Sequence, residues 1–436
     1  MIKMAIHMLF IEKKKLMSFI YSLSATFVVC LLFIQFFTNP YLKKIIKIGH
    51  KVVFNAAYAL PEDVVKLNDN FIVILLSFVL LVICISLISY SCYYHCLMTS
   101  REIGLLKLSG YNLIQIIGYK TIQMVMVMSI SLLISNLVYL FLNPLFLYLI
   151  KSYLKIEMPL ILLNKELYEF LFMIVGILFI FIVFLETRKY DGVSLRKLNV
   201  SEIKQMNHYK EDKRILKIPD TVYIIAYMLG ILTMYSSYEL NAGFSIAACI
   251  GAIGAYGMFY YFIPHTILDM FDHLKLSGEK YVSLGDVSIF MQQSKSLIVY
   301  IMLSIILFPT FILVTTQRPF IFMILQIAFI LINILLSTSL MNRFFIDLYE
   351  KKKHYSNLFK IGLNRKEVIQ VSTQQGNYFY GLFWIFTLIY MFCIISVFYL
   401  KIQISLSIIL CLVLEYMIPY LISQIVVYMS KRRNTL

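Results

Sequence analysis

The chain has 436 residues, 61% of them hydrophobic and only 14% charged, against roughly 25% charged in an ordinary soluble domain. A water-soluble fold cannot hide that much apolar surface, so composition excludes a soluble enzyme or carrier and points to an integral membrane protein. The dense Phe, Tyr, Ile and Leu favour helices over a barrel, whose strands alternate polar and apolar across about 10 residues.

A helical span needs about 20 apolar residues. The hydrophobic runs predict ten spans: about 17–38, 71–95, 121–147, 168–186, 221–238, 242–264, 296–316, 319–341, 378–400 and 403–429. The first follows a basic start (Lys13-Lys14-Lys15). It is too long for a signal-peptide core and no small-residue cleavage site follows, so it reads as a retained span.

Residues 40–54 place Leu42, Ile45, Ile46, Val52 and Val53 on one helical face and Lys43, Lys47 and Lys51 on another. This pattern predicts an interfacial helix on the outer leaflet, a surface anchor first and a lateral gate second. Its positive charge would repel free cationic peptides and suits a lipid-bound or weakly charged substrate. Cys92, His95 and Cys96 stand on one helical turn at the end of the second span. Three soft ligands fall short of a closed metal site, and no metal or other cofactor is expected. The remaining cysteines are scattered through apolar runs and suggest no disulfide framework.

Thr99–Asn112, TSREIGLLKLSGYN, then interrupts the apolar pattern with Arg101, Glu102, Lys107 and two glycines, Gly104 and Gly110. The linker 188–217 is polar and basic, suited to anionic lipid headgroups. The sixth span carries Gly243, Ala247, Gly251 and Ala255 four apart, a face for close helix packing inside the bundle or, alternatively, for homodimerisation. Spans seven and eight are joined by a turn near Thr315–Pro319, and Pro309 and Pro419 stand where they could bend their helices. Glu415 lies mid-span in LCLVLEYMIPYL. A carboxylate there is costly and should face the bundle interior, a water pocket or a partner. A substrate contact or proton-linked switch and a structural hydrogen bond to a Tyr hydroxyl are the two readings.

Ten spans put both termini on one side. With both inside, 29 of the 39 Lys and Arg fall on internal segments, which by the positive-inside rule places both termini in the cytoplasm. The net charge of +16 is thus topological, and no nucleic-acid partner is expected. No large external domain is left, so any substrate site is membranous or built from short loops.

Shifting Arg101–Ile117 by 252 residues brings it onto Lys353–Ile369, KHYSNLFKIGLNRKEVI. Arg101 meets Lys353, Leu106 meets Leu358, Gly110 meets Gly362, Asn112 meets Asn364, and Ile116-Ile117 meet Val368-Ile369. Both segments lie inside by the charge count. The repeat predicts two pseudo-equivalent halves: an N-terminal half, 1–186, and a C-terminal half, 296–436, with a linker, 187–220, and a central two-span unit, 221–295. Each copy is expected to extend a span, turn at the glycine and form a short amphipathic helix, with Leu113, Ile116 and Ile117 at i, i+3 and i+4. Such a helix either lies on the inner membrane surface or docks on a soluble partner.

Arg101, Glu102, Ile103, Gly104, Leu105, Leu106, Lys107 and Gly110 resemble the Arg-Glu-Ile-Gly-x-Leu-(Lys/Arg)-x-x-Gly motif of FtsX-like permeases. Leu358, Gly362 and Arg365 lie in what resembles the divergent second copy. The spacing of ten spans is similar to the bacitracin-resistance type of ABC transporter permease, over nearly the whole chain. The resemblance implies an all-α membrane fold whose two segments are cytoplasmic coupling helices receiving ATPase motion. It also implies a bacterial plasma-membrane location and handling of antimicrobial peptides or bacteriocins by export, immunity or removal from the outer leaflet. The bacitracin-type permeases carry a large extracellular domain between spans seven and eight. Here a turn joins those spans, so peptide sensing by that domain does not transfer.

The chain has no G-x-x-x-x-G-K-[ST] phosphate loop, so ATP hydrolysis is expected in separate ATPase subunits, two copies for two docking segments. No H-E-x-x-H or G-x-S-x-G is present, and an enzyme is not expected. The further partners to weigh are membrane lipid, a peptide substrate and a sensor kinase. A kinase-binding signalling scaffold and an ATP-independent channel or secondary transporter are the rival functions.

Overall fold

The computed structural model describes residues 13–41, 82–88, 91, 105–154, 159, 164–191, 219–236, 242–267, 278–314, 319–402 and 405–434. All regular structure among them is helical. Six described helices are long and apolar enough to cross a membrane, and two shorter apolar ones accompany them; the protein is a multi-pass, all-helical membrane protein. Helices are the open-ended answer to such sequences, because lipid offers no partner to a backbone N–H or C=O and the helix satisfies each one internally. Most of the second expected span, the outer segment 42–70 and the linker 192–217 lie outside the described residues.

The chain divides into two compact units, Met1–Lys213 and Arg214–Leu436. The division falls within the expected linker. In the first unit, α1 (Lys13–Thr38) packs along α2 (Leu113–Leu154) and α3 (Lys165–Asp191). Phe19, Leu23, Phe27, Met124, Val127, Met128 and Leu178 form its core. Uncharged polar pairs pin the helices at depth. Ser22 and Ser91 share a hydroxyl hydrogen bond of 2.8 Å, Gln35 Nε2 donates to Asn143 Oδ1 at 2.5 Å, and Tyr168 donates to Asn136 at 3.1 Å.

The second unit holds α4 (Asp220–Ser236), α5 (Ala242–Gly257) with a π-helical turn at Met258–Phe262, α6 (Gly278–Gln293), α7 (Lys295–Val314), α8 (Pro319–Glu350), α9 (Lys352–Lys360), α10 (Arg365–Ile402) and α11 (Leu406–Asn434). α8 packs along α11, α6 along α10, and α7 touches α5, α8 and α10.

The small residues of α5 are spent inside this unit. A Cβ on Gly230 of α4 would strike the backbone of Gly251, and one on Gly254 would strike the backbone of Tyr227. Ala247 and Ala255 are buried. Bundle packing, one of the two readings of that face, is where these side chains go.

Near the charged end of the unit an aromatic column joins the elements. Phe290 of α6 stacks on Phe344 of α8 with centroids 4.0 Å apart and meets Phe379 of α10 edge-on at 4.9 Å. Phe259 of the π turn closes on Phe379 at 5.9 Å. α6 was not foreseen as a helix, because its sequence GEKYVSLGDVSIFMQQ is polar and short.

Candidate coupling site

The two segments paired by the 252-residue shift fold alike. In each, a helical turn ends at a left-handed glycine, Gly110 at φ +82° and Gly362 at φ +110°. The amide of Tyr111 donates to the carbonyl of Leu106 and that of Leu363 to the carbonyl of Leu358, both at 3.1 Å. Gly110 N–H donates to Lys107 and Gly362 N–H to Phe359, again both at 3.1 Å. This is the helix-terminating pattern in which a residue with positive φ lets the chain satisfy its last carbonyls.

The next helix then starts at an asparagine in both copies. Asn112 N–H is held by Gln115 Oε1 at 3.0 Å and Asn364 N–H by Glu367 Oε2 at 2.7 Å. A side chain three residues on thereby satisfies a backbone donor at the helix start. The burial pattern repeats as well. Leu106 and Leu358, Ile116 and Val368, Tyr119 and Val371 are buried, while Leu105 and Asn357, Leu108 and Lys360, and both turn glycines are exposed.

Two expectations are corrected here. The helix after each glycine is not short: Leu113 and Arg365 begin α2 and α10, of 42 and 38 residues, since nothing after the cap breaks the helix. The short helix is the one before the glycine, α9 in the second copy. Nor is the stripe beyond Asn112 a docking face. Ile116 is buried and Ile117 half-buried, and Ile114 and Gln115 are exposed.

The register extends beyond the motif to Gln123 and Gln375. Each glutamine accepts a hydrogen bond from a buried lysine through Oε1, Lys120 at 2.8 Å in one copy and Lys431 at 2.8 Å in the other. Each donates through Nε2 to an oxygen, Tyr119 Oη at 2.9 Å and Asp347 Oδ2 at 2.9 Å. The lysine comes from the same helix in the first unit and from α11 in the second.

Around Gln375 the second unit buries a charged hub. Lys351, the residue before α9, places Nζ 3.1 Å from Asp286 Oδ1 of α6 and 3.2 Å from Asp347 Oδ1 of α8. Gln375 Nε2 also reaches the Asp286 carbonyl at 3.3 Å. Lys431 donates to the Ser372 carbonyl at 3.0 Å and lies 4.9 Å over the Phe344 ring. Arg343 donates to Gln293 and stands 3.9 Å from Glu350.

Burial works to lower the Lys351 ammonium, but the carboxylates of Asp286 and Asp347 outweigh it and hold the group above the usual lysine range. Burial pushes the Glu350 carboxyl up, with Arg343 opposing. The hub therefore joins α6, α8, α10 and α11 at the root of α9, whose apolar side (Tyr355, Leu358) packs on Val368 and Val371.

Of the residues singled out in the sequence, Leu106, Gly110, Leu358, Gly362 and Arg365 sit at these two tips. Arg101, Glu102 and Gly104 lie outside the described residues, as do Cys92, His95 and Cys96. No metal-holding group of His, Cys, Asp and Glu occurs among the described residues. Glu415 stands apart from the hub, part-buried on α11, and its Oε2 makes no hydrogen bond. The hub residues Asp286, Asp347, Lys351, Gln375 and Lys431 were not singled out. Their one signal in the sequence is Gln375, matched to Gln123 at the same spacing. Compared with known proteins, the chain matches no family model and no curated sequence.

Proposed function

We propose that this chain is the membrane subunit of a bacterial ABC transporter, driven by separate ATP-hydrolysing subunits that dock on the two helix–glycine–helix tips. The observation that carries this reading is the matched geometry of residues 105–120 and 357–372: same turn, same cap and the same buried positions, once in each unit. A plain connector needs none of these, and a duplicated, exposed element suits a partner present in two copies. The charged hub supports it further, because force applied to α9 has a hydrogen-bonded route into α6, α8, α10 and α11. The cargo class, taken from the resemblance to bacitracin-type permeases, is an antimicrobial peptide or bacteriocin handled at the outer leaflet, with both termini cytoplasmic.

The test is purification of the tagged full chain from its native membrane. Two ATP-binding subunits per chain, with hydrolysis stimulated by the chain, are expected. Purification without any ATP-binding subunit, from membranes that still protect cells against the peptide, would sink the reading. An ion-coupled carrier is the second reading, and the free Oε2 of Glu415 favours it. It predicts transport that persists without ATP and collapses with the membrane potential.

A further inference from the structure

The two tips share a backbone and differ in what they present. At three equivalent exposed positions the first copy carries Leu105, Leu108 and Ile114, with 55%, 66% and 83% of their surfaces open. The second carries Asn357, Lys360 and Lys366, all exposed. Exposed Arg365 adds a third cation to the second tip, beside exposed Ile361. The first tip is mainly apolar, with Lys107 part-exposed, and the second mainly basic.

Lipid headgroups do not suit the basic tip. From Arg365 to Asn377 α10 carries only three hydrophobic residues, Val368, Ile369 and Val371, before its apolar run begins, and 13 helical residues span about 20 Å. The headgroup zone is only about 5–8 Å deep on each side. The apolar side of α9 is also already spent on Val368, Val371 and Val282, so its open side faces away from the bundle, as a surface meeting a soluble partner does. Among the described residues of the tip the three exposed cations outnumber one part-exposed acid, Glu367, whose Oε2 is held by the Asn364 amide, and a net positive surface calls for an acidic counter-surface.

Resting on the coupling reading above, we propose that the ATPase is held by two different forces: the Leu105–Leu108–Ile114 tip seats in an apolar cleft, and the Lys360–Arg365–Lys366 tip meets an acidic patch. The apolar contact is insensitive to ionic strength or strengthened by it. The charged one weakens as the screening length falls from about 10 Å at 0.1 M salt toward about 3 Å at 1 M. The two docking contacts are thus unequal, one standing and one that makes and breaks.

Ser109 and Ile361 are equivalent and exposed, and neither carries the proposed contact. A photoreactive residue placed at one or the other, in the full chain in native membranes, reports each contact. Crosslinking is read from 0.05 to 0.5 M NaCl, with adducts identified by mass. The expected result is an adduct to a phosphate-loop polypeptide from both sites. The Ile361 yield should fall about tenfold across the salt series and the Ser109 yield should change less than twofold. Lys360→Glu with Lys366→Glu should remove the Ile361 adduct and leave the other. Equal salt response at both sites, no effect of the charge reversal, or a lipid adduct at Ile361 would overturn the proposal. Adducts from neither site to any ATP-binding polypeptide would instead bring down the coupling reading beneath it.

Discussion

Lys351, just past the end of α8, reaches Asp286 of α6, Nζ to Oδ1 3.1 Å, while also holding Asp347 one turn back in α8. One ammonium therefore bridges two buried carboxylates on different elements. Removing one member of such a group strands the charge of the others, which costs more than the intact group contributes.

Lys351→Met should lower stability by about 3–5 kcal/mol, read as a drop in melting temperature in detergent. Lys351→Met with Asp347→Leu should recover part of the loss. The raised Lys351 group contributes stability fully below its unfolded value of about 10.4 and loses it only as pH rises through the still higher folded value. The deficit should thus be the same at pH 6 and pH 9. A single variant as stable as the parent would remove the hub from the account.

The turn glycines have open space around them, so any cost of substitution is conformational. Gly110→Ala and Gly362→Ala should each destabilise by roughly 1–2 kcal/mol, the cost of a left-handed L-residue. Asparagine tolerates that region best, and Gly110, at φ +82°, lies nearer to it than Gly362 at φ +110°. Gly110→Asn should therefore be milder than Gly362→Asn. Equal melting temperatures for those two variants would contradict the argument.

At the α4–α5 contact the limitation is space. Gly254→Ala should cost about 1–3 kcal/mol by forcing the two helices apart. Gly285→Ala, in α6 with nothing near its Cβ, should be neutral or stabilising by about 0.5–1 kcal/mol. The pair separates helix propensity from backbone clash, and a similar loss in both would refute the clash.

Glu415 makes no hydrogen bond through Oε2, so Glu415→Gln removes the ionisable group while sacrificing no such bond there. The variant should insert and melt like the parent yet lose most of its transport or protection. Full transport by a normally inserted variant would leave Glu415 without a functional part.

The six long apolar helices were legible because apolar run length is a local property, and the tips because Gly110, Gly362, Asn112 and Asn364 fall at one spacing. The glycine needs positive φ and the asparagine begins a helix, so both leave marks in sequence. The position of the short helix relative to the glycine was misjudged, since a capped start gives no sign of how far the helix runs. The hub was not legible. Asp286, Asp347, Lys351 and Lys431 are spread over 146 residues, and only the packing of α6, α8, α10 and α11 makes them neighbours. The sixth-span glycines were visible as a face, but their counterpart Gly230 was not, because close approach depends on the partner helix.

The 38-residue α10 runs unbroken from the exposed tip at Arg365 to Ile402, and the hub grips it at Gln375. If that grip is a fulcrum, the arms are unequal. At 1.5 Å per residue the short arm to Arg365 is about 15 Å and the long arm to Ile402 about 40 Å. A 1 Å displacement at the tip then becomes an opposite displacement between about two and three times as large at the far end. A stroke small enough for a docked subunit to deliver would be magnified, with its direction reversed, by a lever whose ratio is set by the place of one glutamine along one helix.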